Sequence, residues 1–243
     1  MKISISASLL LYCITGAFQV THSQSRPTFK VKAGDYPDKI IPVADQFQYP
    51  TFQKGKVLFY GGRMVEAMLN YSYLSGEVLF LKDQKDTLEL LDKKMIKVVD
   101  MQGAIFYNEK QYGFCEMVSN YGDIKLAKKH LLARIGNEKG GPYGISYTAS
   151  SVTTYSSYAN ANAPGGRKLK MDTEAIFGHR ILYFFVDKND RYMIPGKTSI
   201  TRLFPKYKDQ IGEYLKQNPV NFTEEEDLER LLNYSQNLNQ QLK

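Results

Sequence analysis

Between residues 55 and 118 the chain interrupts itself every few residues with turn chemistry, and that spacing limits the fold more than any other feature. Gly61-Gly62 and Ser75-Gly76 flank a segment in which Val65, Ala67, Leu69 and Tyr71 alternate with Glu66 and Asn70. This is the period of two of a strand with one drier face. Further strands are predicted over 77–81, 87–91, 95–100, 104–107 and 112–118, with only a few residues between them. Parallel strands need crossovers of about a dozen residues or more, so connections this short dictate antiparallel pairing of neighbours. The expected result is a meander, curled or barrel-like where its twist allows.

Beyond residue 118 the pattern changes. In 124–135 the apolar residues at 124, 127, 131 and 135 fit a helical stripe. From Gly140 to Gly166 no side chain is charged; 151–158 reads as a Thr/Tyr-rich strand and 159–166 as a loop. The run Ile181-Leu182-Tyr183-Phe184-Phe185-Val186 is the most apolar strand candidate after residue 18 and is expected in the centre of the sheet. A short helix is predicted over 199–203, and Pro205 can open the next, which ends at Asn218-Pro219. Thr223 with Glu226 reads as a capping box for a last helix carrying Leu228, Leu231, Leu232 and Leu238. Strands followed by helices imply an α+β fold, mainly β: an antiparallel meander sheet with two or three C-terminal helices.

The N-terminus carries an address. Met1-Lys2, an apolar run over 3–18 and the small polar exit Thr21-His22-Ser23-Gln24-Ser25 have the order of a secretory signal peptide. The run is shorter than the roughly 20 residues that span a bilayer. Cutting is expected after Ser23, with Ser25 the alternative. Cys13 makes no lipobox, because bulky Tyr12 precedes it. The domain reading is therefore a signal peptide over 1–23, an N-terminal extension over 24–54, an antiparallel β domain over 55–196 and helices packed on that same domain over 197–243. The expected location is periplasmic or secreted, with any outer-membrane association made through partners.

About 220 residues remain, enough to bury roughly 70% of the unfolded surface without staples. Cys115 is then the sole cysteine, so no internal disulfide can form, and its apolar strand setting predicts burial. The formal charge of +7, which includes Lys2, is spread along the chain. It favours solubility and weak attraction to anionic surfaces. Export argues against nucleic acid as a partner, and no apolar stretch after residue 18 predicts a transmembrane segment. Composition sets no oligomeric state.

Catalytic signatures are sparse. Two histidines follow the leader, His130 and His179, and neither sits in a nucleophile elbow, a zinc-protease helix motif or a phosphate loop. No cofactor or metal site is expected, and His179 reads as structural. Two acids suffice for glycoside hydrolysis and can come from distant strands. Glu116 is the catalytic candidate, because alternation places it with Phe114 and Val118, where burial would raise its pKa. Glu66 and Asp100 are its candidate partners. For binding, the uncharged stretch offers Tyr143, Tyr147, Tyr155 and Tyr158 beside Arg167, a composition of rigid aromatic contacts and adaptable hydrogen bonds. Lys125, Lys128, Lys129, His130 and Arg134 form the densest basic group, read as a solvated face or a contact for an anionic polymer or lipid.

Several segments resemble a family of uncharacterised exported proteins of Bacteroidetes, over most of 49–232. They are Gly76-Glu77-Val78-Leu79-Phe80-Leu81, Asp86-Thr87-Leu88, Tyr143-Gly144-Ile145-Ser146, Tyr155-Ser156-Ser157-Tyr158, Leu203-Phe204-Pro205-Lys206, and Asn221-Phe222-Thr223 with Glu226-Asp227-Leu228. The resemblance implies export and a β-rich fold with C-terminal helices, and brings no activity. It also implies a strand at 124–135, against the helical periodicity. Asp86-Thr87-Leu88 resembles the short O-glycosylation site of exported Bacteroidetes proteins, expected here at a turn. The combined expectation is a non-enzymatic envelope binding or assembly module for a glycan, peptide or protein, with a carboxylate-dependent hydrolase of an envelope or extracellular polymer as the alternative. Intact-mass measurement of the native protein should give a chain beginning at Gln24, with any excess mass mapping to Thr87; a chain still beginning at Met1 refutes export.

Overall fold

The computed structural model describes residues 27–82, 86–89, 93–136, 171 and 174–240. Among them, strands β1 (Thr28–Val31), β2 (Gln53–Phe59), β3 (Met64–Ser72), β4 (Glu77–Lys82) and β5 (Asp86–Glu89) come first. Then follow β6 (Ile96–Met101), β7 (Ala104–Glu109), β8 (Gly113–Tyr121), β9 (Ile124–Gly136), β10 (Ala175–Val186) and the two-residue β11 (Tyr192–Met193). Short helices α1 (Pro37–Ile40) and α2 (Val43–Gln46) lie between β1 and β2. Helices α3 (Lys197–Leu203), α4 (Lys208–Gln217) and α5 (Glu225–Gln240) end the described chain.

All strand pairs are antiparallel, in the order β1-β10-β9-β8-β7-β6-β2-β3-β4-β5, with β11 on β10. The predicted meander is therefore present, built as two runs, β2 to β5 and β6 to β10. They join where β6 pairs with β2 instead of with its sequence neighbour β5. Among the described residues no second ladder joins the two runs to close the sheet.

The sheet nevertheless curls tightly. Tyr71 on β3 stacks on Phe106 of β7 with ring centroids 5.1 Å apart. In a flat sheet those strands, three positions apart, would lie about 14 Å from each other. The Tyr71 hydroxyl donates to His130 O of β9 at 3.0 Å, and Leu132 N of β9 donates to Tyr73 O at 2.7 Å. The β3–β4 turn is thus laid along β9 beyond Lys128, where the β8 ladder ends. Val57, Leu69, Tyr71, Val78, Ile96, Val99, Met101, Phe106 and Phe114 fill the inside of the curl.

Several local expectations change. Residues 124–136 form a strand, as the family resemblance implied. The helical spacing is a coincidence in which Ile124 joins the core under the C-terminal helices while Ala127 joins the opposite face. β10 is not central: it lies next to the end strand β1. It is apolar because both its faces are covered, Tyr183 and Phe185 by the helices and Phe184 and Val186 by the cluster around Cys115 and Tyr192. The 24–54 extension contributes β1 to the sheet. Pro205 opens a 3-10 turn, Pro205–Tyr207, ahead of α4. Thr223 does not cap α5: its hydroxyl donates to Asn221 Oδ1, and Asp227 reaches back to accept from Asn221 N at 2.7 Å. Thr87 lies on edge strand β5, not at a turn.

Gly76 closes the turn that docks on β9, with φ at +67°. A Cβ there would strike Leu131 Cδ2 and come within 3.0 Å of Lys129 Cε. Gly76→Ala should lower the unfolding free energy by about 1–3 kcal/mol in urea titration; an unchanged midpoint would mean that this docking does not hold the curl.

Candidate functional site

Strand alternation puts Leu126, Lys128, His130 and Leu132 of β9 on one face, with Phe185, Tyr183, Ile181, His179 and Phe177 of β10 beside them. One end of that face is sealed by α3, α4 and α5, through Ile200, Phe204, Ile211, Leu228, Leu231 and Leu232. The other end is covered by Val31, Ile41 and Leu74, which pack on Leu132, Ala175 and Phe177. Between these two apolar clusters the same strands carry ionisable and aromatic side chains, so a polar band crosses the sheet.

At the helix side of the band, Glu116, Lys128 and Tyr183 stand in register across β8, β9 and β10. Glu225, the first residue of α5, reaches down to them. Its Oε2 accepts from the Tyr183 hydroxyl at 3.1 Å and lies 3.3 Å from Lys128 Nζ. Burial pushes the Glu116 carboxyl above the ordinary 4.5. Lys128 pulls it down, Glu225 pushes it further up, and a hydrogen bond from Gln48 lowers it.

At the other side, His179 Nδ1 and His130 Nε2 are 3.0 Å apart. His179 Nε2 lies 4.0 Å from Asp45 Oδ1 of α2. One tautomeric arrangement fits both contacts without added charge: His130 donates through Nε2 to His179 Nδ1, and His179 turns Nε2–H toward Asp45. Tyr73 packs on both rings, at 4.0 Å from His130 and 5.4 Å from His179. The segment before β2 supplies the remaining wall. Gln48 N donates to Tyr71 O, Tyr73 N donates to Gln46 O, and Asn70 clasps Tyr49 through both its amide atoms.

The predicted site residues fare unequally. Tyr143, Tyr147, Tyr155, Tyr158 and Arg167 lie outside the described residues. Glu116 is half-buried, with its pKa shifted as expected, but its acidic neighbour is Glu225. Glu66 is exposed on β3, and Asp100 Oδ1 accepts from Gly103 N in the β6–β7 turn. Val118 keeps the face expected of it, packing with Leu126 and Tyr183 while Met117 packs on the opposite face, and the bulge between Met117 and Ser119 shifts the register only beyond it.

The basic group is not a solvated face. Lys125 meets Asp190 at 3.4 Å, Lys128 meets Glu225, and Arg134 donates to Glu174 O. Lys129 is 8% exposed and donates to Gly76 O and Tyr112 O, at 2.9 and 2.5 Å. Cys115 is fully buried, and burial pushes its thiol up to about 12 despite Lys129, which leaves no reactive thiolate at neutral pH. Among the described residues no cluster of three His, Cys, Asp or Glu side chains could hold a metal ion.

The raised Glu116 pKa fixes a sign. A carboxyl that binds its proton more tightly when folded favours folding fully below the unfolded pKa, and loses that contribution as pH rises through the folded one. Glu116→Gln should therefore gain stability relative to the parent as pH climbs from about 4 toward 7; a difference that is flat with pH, measured by parallel urea titrations, would show that Glu116 is no more buried than an ordinary surface acid. Compared with protein-family models, with curated proteins and with solved structures, the chain matches none.

Proposed function

We propose that the chain is an exported, non-enzymatic binding or assembly module of the cell envelope, and that its ligand lies across the polar band between the helices and the N-terminal segment. The observation that carries this reading is that the band's charged groups are already matched to one another. Glu225 is met by Lys128 and Tyr183, Glu116 by Lys128 and Gln48, and the two histidines share one hydrogen bond. Groups paired in this way recognise by hydrogen bonding and aromatic contact, with little net charge to attract or repel. A glycan or an extended peptide suits such a strip, since either can stack on tyrosine while bonding to amide and carboxylate oxygens.

The signal-like N-terminus supports export. No helix among the described residues is long and apolar enough to cross a membrane, which fits attachment through partners.

The hydrolase reading keeps one specific support, the raised Glu116 carboxyl with a second acid, Glu225, close enough to shift it. Such a pair could serve as general acid and base. The two readings separate in one series. The purified chain is titrated with fractionated envelope glycans and peptides, and each fraction is assayed for cleavage. A binding module should retain one fraction unchanged, and Lys128→Gln should weaken that retention about tenfold through loss of a charge-assisted contact. Cleavage that falls at least about a hundredfold in Glu116→Gln would establish the hydrolase instead. Retention indifferent to Lys128→Gln would remove the ligand from the band.

A further inference from the structure

The tip of the β2–β3 hairpin differs from the band in every respect. Its turn, Tyr60-Gly61-Gly62-Arg63, is closed by Phe59 N donating to Arg63 O and Gly62 N donating to Phe59 O. Tyr60 N donates to Met95 O, which fastens the start of β6 to the same tip. Built Cβ atoms on Gly61 and Gly62 would meet nothing within 4 Å, so the turn projects into open space.

Large apolar side chains cluster there without cover: Tyr60 is 61% exposed, Met64 58% and Met95 55%. Arg63, Lys94 and Lys97 are exposed beside them, and neither 57–65 nor 93–99 contains an Asp or Glu. Asp92 precedes the second stretch in sequence and lies outside the described residues; the adjoining strands carry Glu66 and Glu109, the latter accepting from the N–H groups of Gln111 and Tyr112.

We infer that this tip is a docking surface for an anionic lipid bilayer. Three features select a bilayer over a protein groove or a polysaccharide. The surface is convex, so it can enter a soft interface but cannot enclose a chain. Its apolar members are a tyrosine, whose ring suits the headgroup level, and two flexible methionines, which adapt to a fluid partner. Its cations Arg63, Lys94 and Lys97 form no ion pair among the described residues and lie exposed in the same stretches as the apolar side chains, the combination of two weak signals that reversible membrane attachment requires. The tip does not involve the band, so its role is independent of what the band binds.

The test uses the full chain with phosphatidylcholine vesicles, with and without phosphatidylglycerol, in sedimentation at about 0.1 M salt. Binding is expected only to the anionic vesicles, and should vanish near 1 M salt, where the screening length falls to about 3 Å. Arg63→Gln with Lys94→Gln should weaken it roughly fivefold per residue, about 25-fold together. Tyr60→Ser with Met64→Ser should weaken it about tenfold. Lys206→Gln with Lys208→Gln, on the distant 3-10 turn and α4, should leave it unchanged. Because the chain lacks tryptophan, Tyr60→Trp gives a reporter confined to the tip, and its emission should shift to the blue on anionic vesicles alone.

Failure of the parent chain to sediment with anionic vesicles overturns the inference. So does binding that ignores the tip substitutions, or that falls equally in the Lys206/Lys208 control. A Tyr60→Trp shift that follows protein concentration without vesicles would assign the tip to contact between copies of the chain and overturn it as well.

Discussion

The docking of the β3–β4 turn onto the free stretch of β9 is the contact on which the rest of the architecture rests. β8 pairs with β9 only as far as Lys128, which leaves the following residues of β9 with backbone groups to satisfy. Tyr73 O takes one of them, Leu132 N. Lys129 lies buried at the same seam, with its ammonium spent on the carbonyl oxygens of Gly76 and Tyr112. A buried cation is costly unless it is richly hydrogen-bonded. Its position therefore ties the β3–β4 turn and the residue ahead of β8 to β9 beyond the point where the β8–β9 ladder ends.

That seam explains why a band exists. With the β3–β4 turn on β9, the segment ahead of β2 runs along β3, where Phe47 bridges Ser72 and Gln46 and Gln48 bond to Tyr73 and Tyr71. It brings Asp45, Gln48 and Tyr49 to the edge of the same face that α5 approaches from the other end through Glu225. Two covers arrive from opposite directions and do not meet. Alternation along β9 and β10 then leaves Lys128, His130, His179 and Tyr183 in the interval, and the apolar residues before and after them under the covers.

Much of this was legible locally and little of it globally. Alternation and Gly-rich turns gave the strands because both are set within a few residues, and the final helix was visible in Leu228, Leu231 and Leu232. The face of β9 could have been read the same way, since Ile124, Leu126, Lys128, His130 and Leu132 alternate with an apolar-polar-apolar profile that a helical count conceals. The partners of those residues could not. Glu225 is 97 residues from Lys128 and His179 is 49 from His130, and only register and curl bring them together. Thr223 misled because its hydroxyl is taken by Asn221 and the acid that reaches back is Asp227, and a sequence does not say which of several short polar side chains wins. The basic group misled for a similar reason: charge density along a strand says nothing of the acids that other elements bring to it.

The two surfaces divide the electrostatics of the molecule between them. In the band each charge has a partner within a few ångströms, so its field cancels over a short distance and selects a ligand only on contact. At the hairpin tip Arg63, Lys94 and Lys97 form no ion pair among the described residues, and their field extends to about the screening length of roughly 8–10 Å in physiological salt. A surface of the second kind sets where a molecule accumulates, and one of the first kind sets what it holds once there. The tip also carries its apolar residues more than half exposed, a cost that a folded chain bears in water without return. It is recovered only if those side chains spend part of their time in a less polar medium. A core needs neither Tyr60 nor Met64 nor Met95 in those positions, and a merely soluble hairpin would be better served by polar residues at all three.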